Sequence, residues 1–224
     1  MTRTENPDEA LRRYRRPEPV FVRAVAKVLG SARTVLELRS GPVSYVPADR
    51  STTTPSTGGT ADAVLVTFPT RADDLAGLRA RTTGPVVVLA RDPEGLRNGW
   101  LAEYAAEVVE TEASALPTLD EIAAALGTAD GPTRLPVPFT CVDGFSEAYY
   151  ARPERLLDPG ARSADPAWSG VDDLTARRSV AALRAALESG EWDARHGALR
   201  RRPTLDGSVV LLRTPAEQDP TRPA

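Results

Sequence analysis

Residues 63–90 read AVLVTFPTRADDLAGLRARTTGPVVVLA, and this stretch decides the fold. Apolar, β-branched runs at its two ends are typical of strands in a sheet that is covered on both faces: Ala63–Phe68 and Pro85–Ala90. Between them, Arg71–Ala80 carries Leu75 and Leu78 at helical spacing, which predicts a short helix with both leucines facing inward. A strand, a helix and a strand at this spacing predict a parallel βαβ unit.

The segment before this unit contributes one helix and one strand. The apolar side chains before Gly30 recur at helical spacing, so we expect a helix to end there: Phe21, Val25, Val28 and Leu29. Thr34–Leu38 is a short β-rich run followed by turn-forming residues, and it predicts a buried strand.

Residues 39–62 separate that strand from the βαβ unit. They are rich in Ser, Thr, Pro and Gly, and residues 51–60 (STTTPSTGGT) carry no large apolar side chain. A parallel crossover with its helix needs at least about a dozen residues, and further βα units would need many more. The segment is therefore expected to hold one edge strand and a loop, with no helix in residues 51–60.

On the carboxyl-terminal side, helices alternate with short strands. Thr118–Glu121 predicts a capping box for a helix that Gly127 closes, and Thr175–Ser189 predicts an amphipathic helix. The buried face of the latter is expected to carry Val180, Leu183 and Leu187. Arg134–Phe139 and Ser208–Arg213 predict two strands at an antiparallel edge.

Together these elements predict an α/β fold: Rossmann-like, with a mostly parallel sheet of about five to six strands flanked by helices. We expect a single domain over residues 16–213. A flexible amino terminus at residues 1–15 and a disordered tail at residues 214–224 are expected on either side of it.

Composition excludes several classes of function. The formal net charge is −3, from 28 Lys and Arg against 31 Asp and Glu, and no basic stretch could follow a phosphate backbone, so no nucleic-acid partner is expected. The longest apolar runs are strand-sized and the first residues contain no signal-peptide core, which predicts a cytoplasmic protein without a membrane partner. Cys141 and His196 are each the one residue of their type, so neither a metal site nor a disulfide framework is expected.

Several segments occur in a characteristic order along the chain: Ala32–Leu38, Tyr45–Arg50, Ala61–Ala63, Gly84–Pro93, Asp143–Phe145 and Ser189–Asp193. This order resembles the class I S-adenosylmethionine (SAM)-dependent methyltransferases. In that family, Ala32–Leu38 would correspond to the entry to the first strand, Ala61–Ala63 to the start of the fourth and Gly84–Pro93 to the fifth. The resemblance implies a reduced class I methyltransferase fold. Lys27 is the one lysine and there are 20 Pro, a composition typical of a high-GC genome, so small actinobacterial members are the nearest part of the family.

Three features depart from that family and imply a degenerate, shortened SAM-binding region. The family's glycine-rich turn lets the backbone approach the ligand, but residues 38–44 read LRSGPVS and only Gly41 remains. The family's second strand ends in a carboxylate that binds the ribose hydroxyls, whereas residues 51–55 read STTTP. Residues 39–62 also leave no room for one strand and one helix of the cofactor pocket. We therefore expect no cofactor, and SAM only if the chain is an active methyltransferase.

Candidate site residues follow from the strand ends, the aromatic side chains and the resemblance. Asp92, at the carboxyl end of a central strand, and the adjacent Tyr149 and Tyr150 are the candidate catalytic residues. Gly41 and Asp62 are the candidate cofactor-binding residues. The candidate substrate pocket consists of Tyr14, Arg16, Phe68, Trp100, Phe145 and Trp168. Each also has an ordinary structural interpretation, as a turn residue for the aspartates and as core packing for the aromatics.

Three functions remain open from the sequence. The favoured one is a cofactor-independent enzyme, such as a cyclase of actinobacterial specialised metabolism, that holds an apolar small-molecule substrate between the amino-terminal segment and the aromatic side chains. The second is an active SAM-dependent small-molecule methyltransferase. The third is a non-catalytic pseudo-methyltransferase that binds a protein partner, with a homodimer among the assemblies open to it. A fold alone does not choose between them.

Overall fold

The computed structural model describes residues 7–54, 60–72, 75, 77–127 and 131–214, and a six-stranded mixed sheet lies at the centre of this part of the chain. The described chain contains these strands: β1 (Thr34–Arg39), β2 (Ser51–Thr53), β3 (Ala63–Thr67), β4 (Val86–Arg91), β5 (Thr133–Arg134), β6 (Val137–Pro138), β7 (Thr204–Leu205) and β8 (Val209–Arg213). Six of them form the central sheet, and β6 and β7 form a separate pair. In the order β2-β1-β3-β4-β8-β5, the first four strands run parallel and β8 is antiparallel to both of its neighbours. The predicted α/β class with a mostly parallel sheet is confirmed.

Helices connect and cover the strands. The α-helices of the described chain are α1 (Pro7–Tyr14), α2 (Pro19–Leu29), α3 (Pro93–Arg97), α4 (Ala106–Ser114), α5 (Leu119–Leu126), α6 (Pro159–Ser163), α7 (Pro166–Ser169), α8 (Asp173–Glu188) and α9 (Glu191–His196). Shorter 3-10 helices occupy Leu78–Arg81, Trp100–Glu103, Ser146–Tyr149, Pro153–Leu157 and Gly197–Arg201. None of these helices is long and apolar enough to span a membrane.

Alternation of side chains along the strands divides the core between the two faces of the sheet. Val87 of β4 faces the larger cluster, which α2 and α8 cover with Phe21 and Leu183. Val88 faces the smaller cluster, which α5 covers with Ile122. Because both faces are covered, β4 is buried along its whole length, as its apolar sequence predicts.

The helix boundaries predicted from capping residues are confirmed. Gly30 follows α2 with φ 57°, and its backbone N–H bonds back to Ala26. The side chains of Thr118 and Glu121 form the predicted capping box at the start of α5, and Gly127 ends this helix with φ 63°.

The predicted strand Arg134–Phe139 is divided in the structure. Thr133–Arg134 pairs with β8, whereas Val137–Pro138 leaves the sheet and pairs with β7 in a separate two-stranded ribbon. Pro136 lies between the two pieces, and proline cannot donate a ladder hydrogen bond. The sheet edge is therefore shorter than the sequence pattern predicts.

The predicted helix Arg71–Ala80 is also reduced. In its described part, Leu75 and Leu78–Arg81 are in 3-10 conformation, and Gly77 between them has φ 77°, which a continuous α-helix does not allow. Leu75 and Leu78 are nevertheless buried, as predicted. The connection from β3 to β4 therefore keeps its parallel direction and its inward leucines, and its described residues contain no regular α-helix.

The segment between β1 and β3 contains the predicted edge strand. β2 pairs in parallel with β1, and residues 40–50, which connect them, contain no helix. Of the stretch predicted to lack a helix, residues 51–60, the part at 55–59 lies outside the described residues.

Residues next to the predicted domain boundaries contact the folded unit at both ends. Arg15, directly after α1, forms a bridge with Asp143 in the interior. At the other end, Thr214 is buried and exchanges two hydrogen bonds with Val86 at the start of β4. Residues 1–6 and 215–224, which belong to the predicted flexible ends, lie outside the described residues.

Candidate functional site

A cavity of about 270 Å³ opens at the carboxyl ends of the parallel strands. Residues at or just after the ends of β1, β3 and β4 line one side: Ser40, Gly41, Pro42, Phe68, Thr70 and Arg91. The other sides come from α4, from residues 165–170 and from two single side chains: Thr111, Glu112, Ala115, Leu116, Asp165, Pro166, Ala167, Gly170, Arg15 and Phe145. Open α/β sheets bind their ligands at this edge, so we take the cavity as the candidate site.

Apolar groups make up most of the cavity surface. The rings of Phe68 and Phe145 lie 6.5 Å apart, and Phe68 meets Tyr45 edge-on at 5.9 Å. Phe68 has φ 49° and is the one non-glycine residue of the described chain with a positive φ. Such a conformation costs about 1–3 kcal/mol and persists where the surrounding packing holds it, most often at ligand-binding positions.

Glu112 and Arg91 form a buried ion pair in the cavity wall. Nη1 of Arg91 donates to Oε1 of Glu112, and the two side chains are 6% and 15% exposed. Arg91 is itself held by Ser208, whose hydroxyl accepts from Nε at 3.1 Å, and by the Phe145 ring, which lies 4.8 Å from the guanidinium carbon. The contacts with Ser208 and Phe145 therefore hold the Arg91 guanidinium, and with it the ion pair, in place.

Burial gives Glu112 an unusual proton affinity. Loss of solvation, together with the nearby carboxylates of Asp165 and Glu147, raises the pKa of Glu112 to about 7 against the opposing effect of Arg91. A carboxyl with a pKa in this range exchanges its proton readily near neutral pH. Glu112 can therefore act as an acid or a base on a ligand in the cavity.

A second buried ion pair connects the amino-terminal segment to the cavity. Asp143 is fully buried and accepts hydrogen bonds from Nε of Arg15 and from the Tyr45 hydroxyl. Nη1 of Arg15 also donates to the backbone carbonyl of Ala164 at 3.1 Å. Burial, then the Asp143 carboxylate, raises the pKa of the Tyr45 hydroxyl, which stays protonated and donates to Asp143. This network fixes Arg15 as part of the cavity wall.

Asp165 is the remaining charged residue that lines the cavity. Its side chain accepts from the backbone N–H and the hydroxyl of Ser146 at 2.6 and 2.5 Å, and from the backbone N–H of Ala167 at 3.2 Å. Three donors from the protein therefore satisfy this carboxylate.

Three of the predicted site residues line the cavity: Gly41, Phe68 and Phe145. No described atom lies within 4 Å of the position that a Cβ would take at Gly41. A larger side chain would fit there in the structure, so packing within the protein does not require this glycine. The two phenylalanines form the apolar surface described above.

The three predicted catalytic residues do not line the cavity. Asp92 caps α3, accepting from the backbone N–H of Glu94 at 3.1 Å, and pairs with Arg134 at 2.5 Å. Tyr149 is buried with the Arg152 guanidinium over its ring, and the hydroxyl of the buried Tyr150 donates to a backbone carbonyl at 2.8 Å. Turn formation and core packing account for all three positions.

Two further predicted residues also lie elsewhere. The Asp62 carboxylate accepts from the backbone N–H groups of Arg33 and Thr34, at 2.8 Å each. Because these residues precede β1 or begin it, Asp62 is at the amino ends of the strands, on the edge opposite to the cavity. Arg16 is exposed and does not share the buried position of its neighbour Arg15.

Three predicted pocket aromatics have partners outside the cavity. The Tyr14 hydroxyl donates to Asp158 at 2.9 Å. Trp100 packs edge-on against Trp192 with ring centroids 5.4 Å apart. The Trp168 indole donates to the Ser146 hydroxyl at 2.9 Å, so it supports a cavity carboxylate from behind rather than contacting a ligand.

The ion pair of Arg91 and Glu112, which is best suited to acid–base chemistry, was not among the predicted site residues. Arg91 had a signal in the sequence, because it is a charge that ends a fully apolar central strand. Glu112 had no such signal in the sequence, because α4 carries other glutamates that look the same in the local pattern. In the described residues no group of three or more His, Cys, Asp or Glu side chains is arranged to hold a metal ion.

Comparison with known proteins supports the fold. No protein-family model matches the chain, and no curated protein matches it. A crystal structure from Anabaena variabilis ATCC 29413, described as "Putative methyltransferase from antibiotic biosynthesis pathway", superposes with a TM-score of 0.73 at 16% sequence identity. The match covers 92% of this chain and 99% of that one. The chain therefore has a methyltransferase-like α/β fold.

Proposed function

We propose that this protein is a cofactor-independent acid–base enzyme, of the cyclase type, that binds a small apolar molecule in the strand-end cavity and moves a proton with Glu112. The observation that carries the proposal is the place of the Glu112 carboxyl, in an apolar cavity at the ligand-binding edge of the sheet and with its pKa raised to about 7. General acid–base catalysis is most effective when the pKa lies near the working pH, and it contributes about 10²–10⁴-fold.

Arg91 has the role of a positioning residue in this proposal. Its guanidinium holds one oxygen of Glu112, and its own contacts with Ser208 and Phe145 keep it in place. The carboxyl is therefore presented to the cavity in one orientation, which favours proton transfer to a bound ligand. Phe68 and Phe145 keep the surroundings apolar and maintain the raised pKa.

The residues present do not fit SAM in the way that methyltransferases bind it. No helix begins between β1 and β2, so the turn after β1 lacks the helix N-terminus whose amides would face an anionic group. Pro42, next to the one remaining glycine, has no backbone N–H to donate. No carboxylate occurs in β2 or in the residues up to position 60. We therefore propose no step that uses SAM.

An ordinary SAM-dependent methyltransferase is the alternative, and the description of the structural neighbour favours it. The same description, which mentions antibiotic biosynthesis, supports a role for this chain in specialised metabolism under either function. The two functions differ in whether SAM binds and in whether Glu112 titrates near neutral pH.

Carbon-13 NMR of protein labelled at the glutamate side-chain carboxyls tests the proposal. The resonance absent from the Glu112→Gln variant identifies Glu112, and Glu107→Gln, an exposed position on the same helix, is the control. We expect the Glu112 signal to titrate with a midpoint near 7. A midpoint near the ordinary value of 4.5 would exclude Glu112 as a proton carrier at neutral pH.

A further inference from the structure

The charged side chains that line the cavity all have partners within the protein, which are ion pairs for three of them and hydrogen bonds for Asp165. Arg15 is paired with Asp143, and Arg91 is paired with Glu112. Asp165 accepts three hydrogen bonds from protein donors. A charged ligand would lose its hydration in this apolar space without finding an oppositely charged side chain that lacks a partner, which is costly. The cavity therefore favours a neutral ligand.

Few groups in the cavity can carry a proton. No Cys, His, Lys or Tyr is among the described residues that line it. Asp165 is already engaged by three donors, so Glu112 is the remaining acid–base group. One carboxyl, without a thiol, imidazole or amine among the described lining residues, is suited to taking a proton from one atom of a ligand and returning it to another.

The Arg91 guanidinium would stabilise the charge that such a transfer creates. When the Glu112 carboxylate takes a proton from a neutral ligand, the negative charge passes to the ligand, and Arg91 remains beside both groups. The total charge of the site does not change. Ser40, Thr70 and Thr111 also line the cavity, and each carries a hydroxyl. A hydroxyl is a suitable donor to an oxygen of the ligand.

We infer that the substrate is a neutral, largely apolar carbonyl compound with a C–H bond next to the carbonyl group, an inference that rests on the proposed function of Glu112. The carboxylate takes the proton of this C–H bond. The electron pair of that bond forms the carbon–carbon double bond of an enolate, and the carbonyl π pair moves onto the oxygen. Glu112 then returns the proton to carbon or to oxygen, so the enolisation needs no oxidant, reductant or co-reactant.

Proton exchange of a model ketone tests this inference. With 1-indanone in D₂O buffer at pH 7, wild-type protein should accelerate the loss of the C2 proton signal above the buffer rate, as followed by proton NMR. Glu112→Gln should reduce the protein-dependent rate by about 10²-fold or more, whereas Glu107→Gln should retain it. Glu112→Asp keeps the charge beside Arg91 and serves as a second variant, with an intermediate rate expected. An equal rate in wild type and Glu112→Gln, or no rate above buffer, would overturn the inference.

Binding of matched compounds tests the preference for a neutral ligand. Indane lacks the carbonyl group and 1-aminoindane is a cation at pH 7. Thermal unfolding should show stabilisation by 1-indanone and indane but not by 1-aminoindane. Stronger stabilisation by the amine would overturn the neutral substrate, and the NMR midpoint of Glu112 would still decide the proposed function separately. A midpoint near 7 without any exchange of 1-indanone would leave the proposed function standing and refute the carbonyl substrate.

Discussion

Three glutamates on α4 meet three different environments within six residues of sequence. Glu107 is exposed. Glu110 is held on the surface by Arg97 and Ser114, which lower its pKa to about 2. The Glu112 side chain is 15% exposed and lies beside Arg91, and its pKa rises to about 7. Nothing in the local sequence AEVVETEAS separates these residues, because the differences arise from side chains that the fold brings to the helix. Sequence reasoning could therefore not find Glu112.

The raised pKa of Glu112 predicts how stability depends on pH. Its ordinary value is 4.5 and its value in the folded protein is about 7, so the folded state binds this proton more tightly than the unfolded chain. The resulting stabilisation is present below pH 4.5 and is lost as the pH rises through 7. Relative to Glu112→Gln, wild type should lose up to about 3 kcal/mol of unfolding free energy as the pH rises from 4.5 to above 7.

Denaturant unfolding of the two proteins at several pH values measures this difference. An increase in the relative stability of wild type with rising pH would contradict the prediction. It would mean that attraction to Arg91 outweighs burial and lowers the pKa of Glu112.

Asp143 should be the more critical member of the amino-terminal network. Asp143→Asn leaves the buried Arg15 without its counter-charge and should cost about 3–5 kcal/mol of unfolding free energy. Tyr45→Phe removes a single hydrogen bond to the same carboxylate and should cost about 1–3 kcal/mol. Arg16→Gln, at the exposed neighbouring position, is the control and should change stability by less than about 0.5 kcal/mol. Equal stability of Asp143→Asn and wild type in urea unfolding would show that the network does not hold the segment.

At the scale of elements, apolar patterning and capping residues predict the structure where they act locally. β3 and β4 read as strands because both of their faces are buried, and Gly127 marks a helix end by its own conformation. The division at Pro136 and the interruption at Gly77 were missed. The apolar patterns around both residues predict one continuous strand at Arg134–Phe139 and one continuous helix at Arg71–Ala80. Whether a proline interrupts a strand depends on which neighbouring strands the residues on either side of it pair with, and the local sequence does not give that pairing.

The buried face of α8 provides a test at this scale. Leu183 is 1% exposed, and Val180 and Leu187 pack partly buried against the same cluster, as the helical spacing predicts. Leu183→Ala should lower the unfolding free energy by about 2–5 kcal/mol. Leu174→Ala, at a side chain that is 57% exposed on the same helix, should change it by less than about 0.5 kcal/mol. A loss below about 1 kcal/mol for Leu183→Ala would place α8 at the periphery of the core.

At the scale of the whole molecule, the cavity is assembled from segments that are far apart in the sequence. Arg91 at the end of β4 and Glu112 on α4 meet Arg15, Phe145 and Asp165 at the edge where β1, β3 and β4 end. The sequence predicted the carboxyl end of a central strand as the ligand side, and of the predicted site residues Gly41, Phe68 and Phe145 line the cavity. It could not predict which charges would be buried together, because burial and pairing are properties of the complete fold.

Binding of SAM is the most direct test of the account as a whole. The fold is methyltransferase-like, yet the turn at Gly41 and Pro42 has no helix behind it and β2 has no carboxylate after it. Losing a polar partner and a close backbone contact should weaken an ordinary micromolar site by about two to four decades. Isothermal titration calorimetry with SAM and with S-adenosylhomocysteine should therefore show no saturable binding at ligand concentrations of about 100 μM. A dissociation constant near or below about 10 μM for either compound would contradict the account and indicate ordinary methyl transfer.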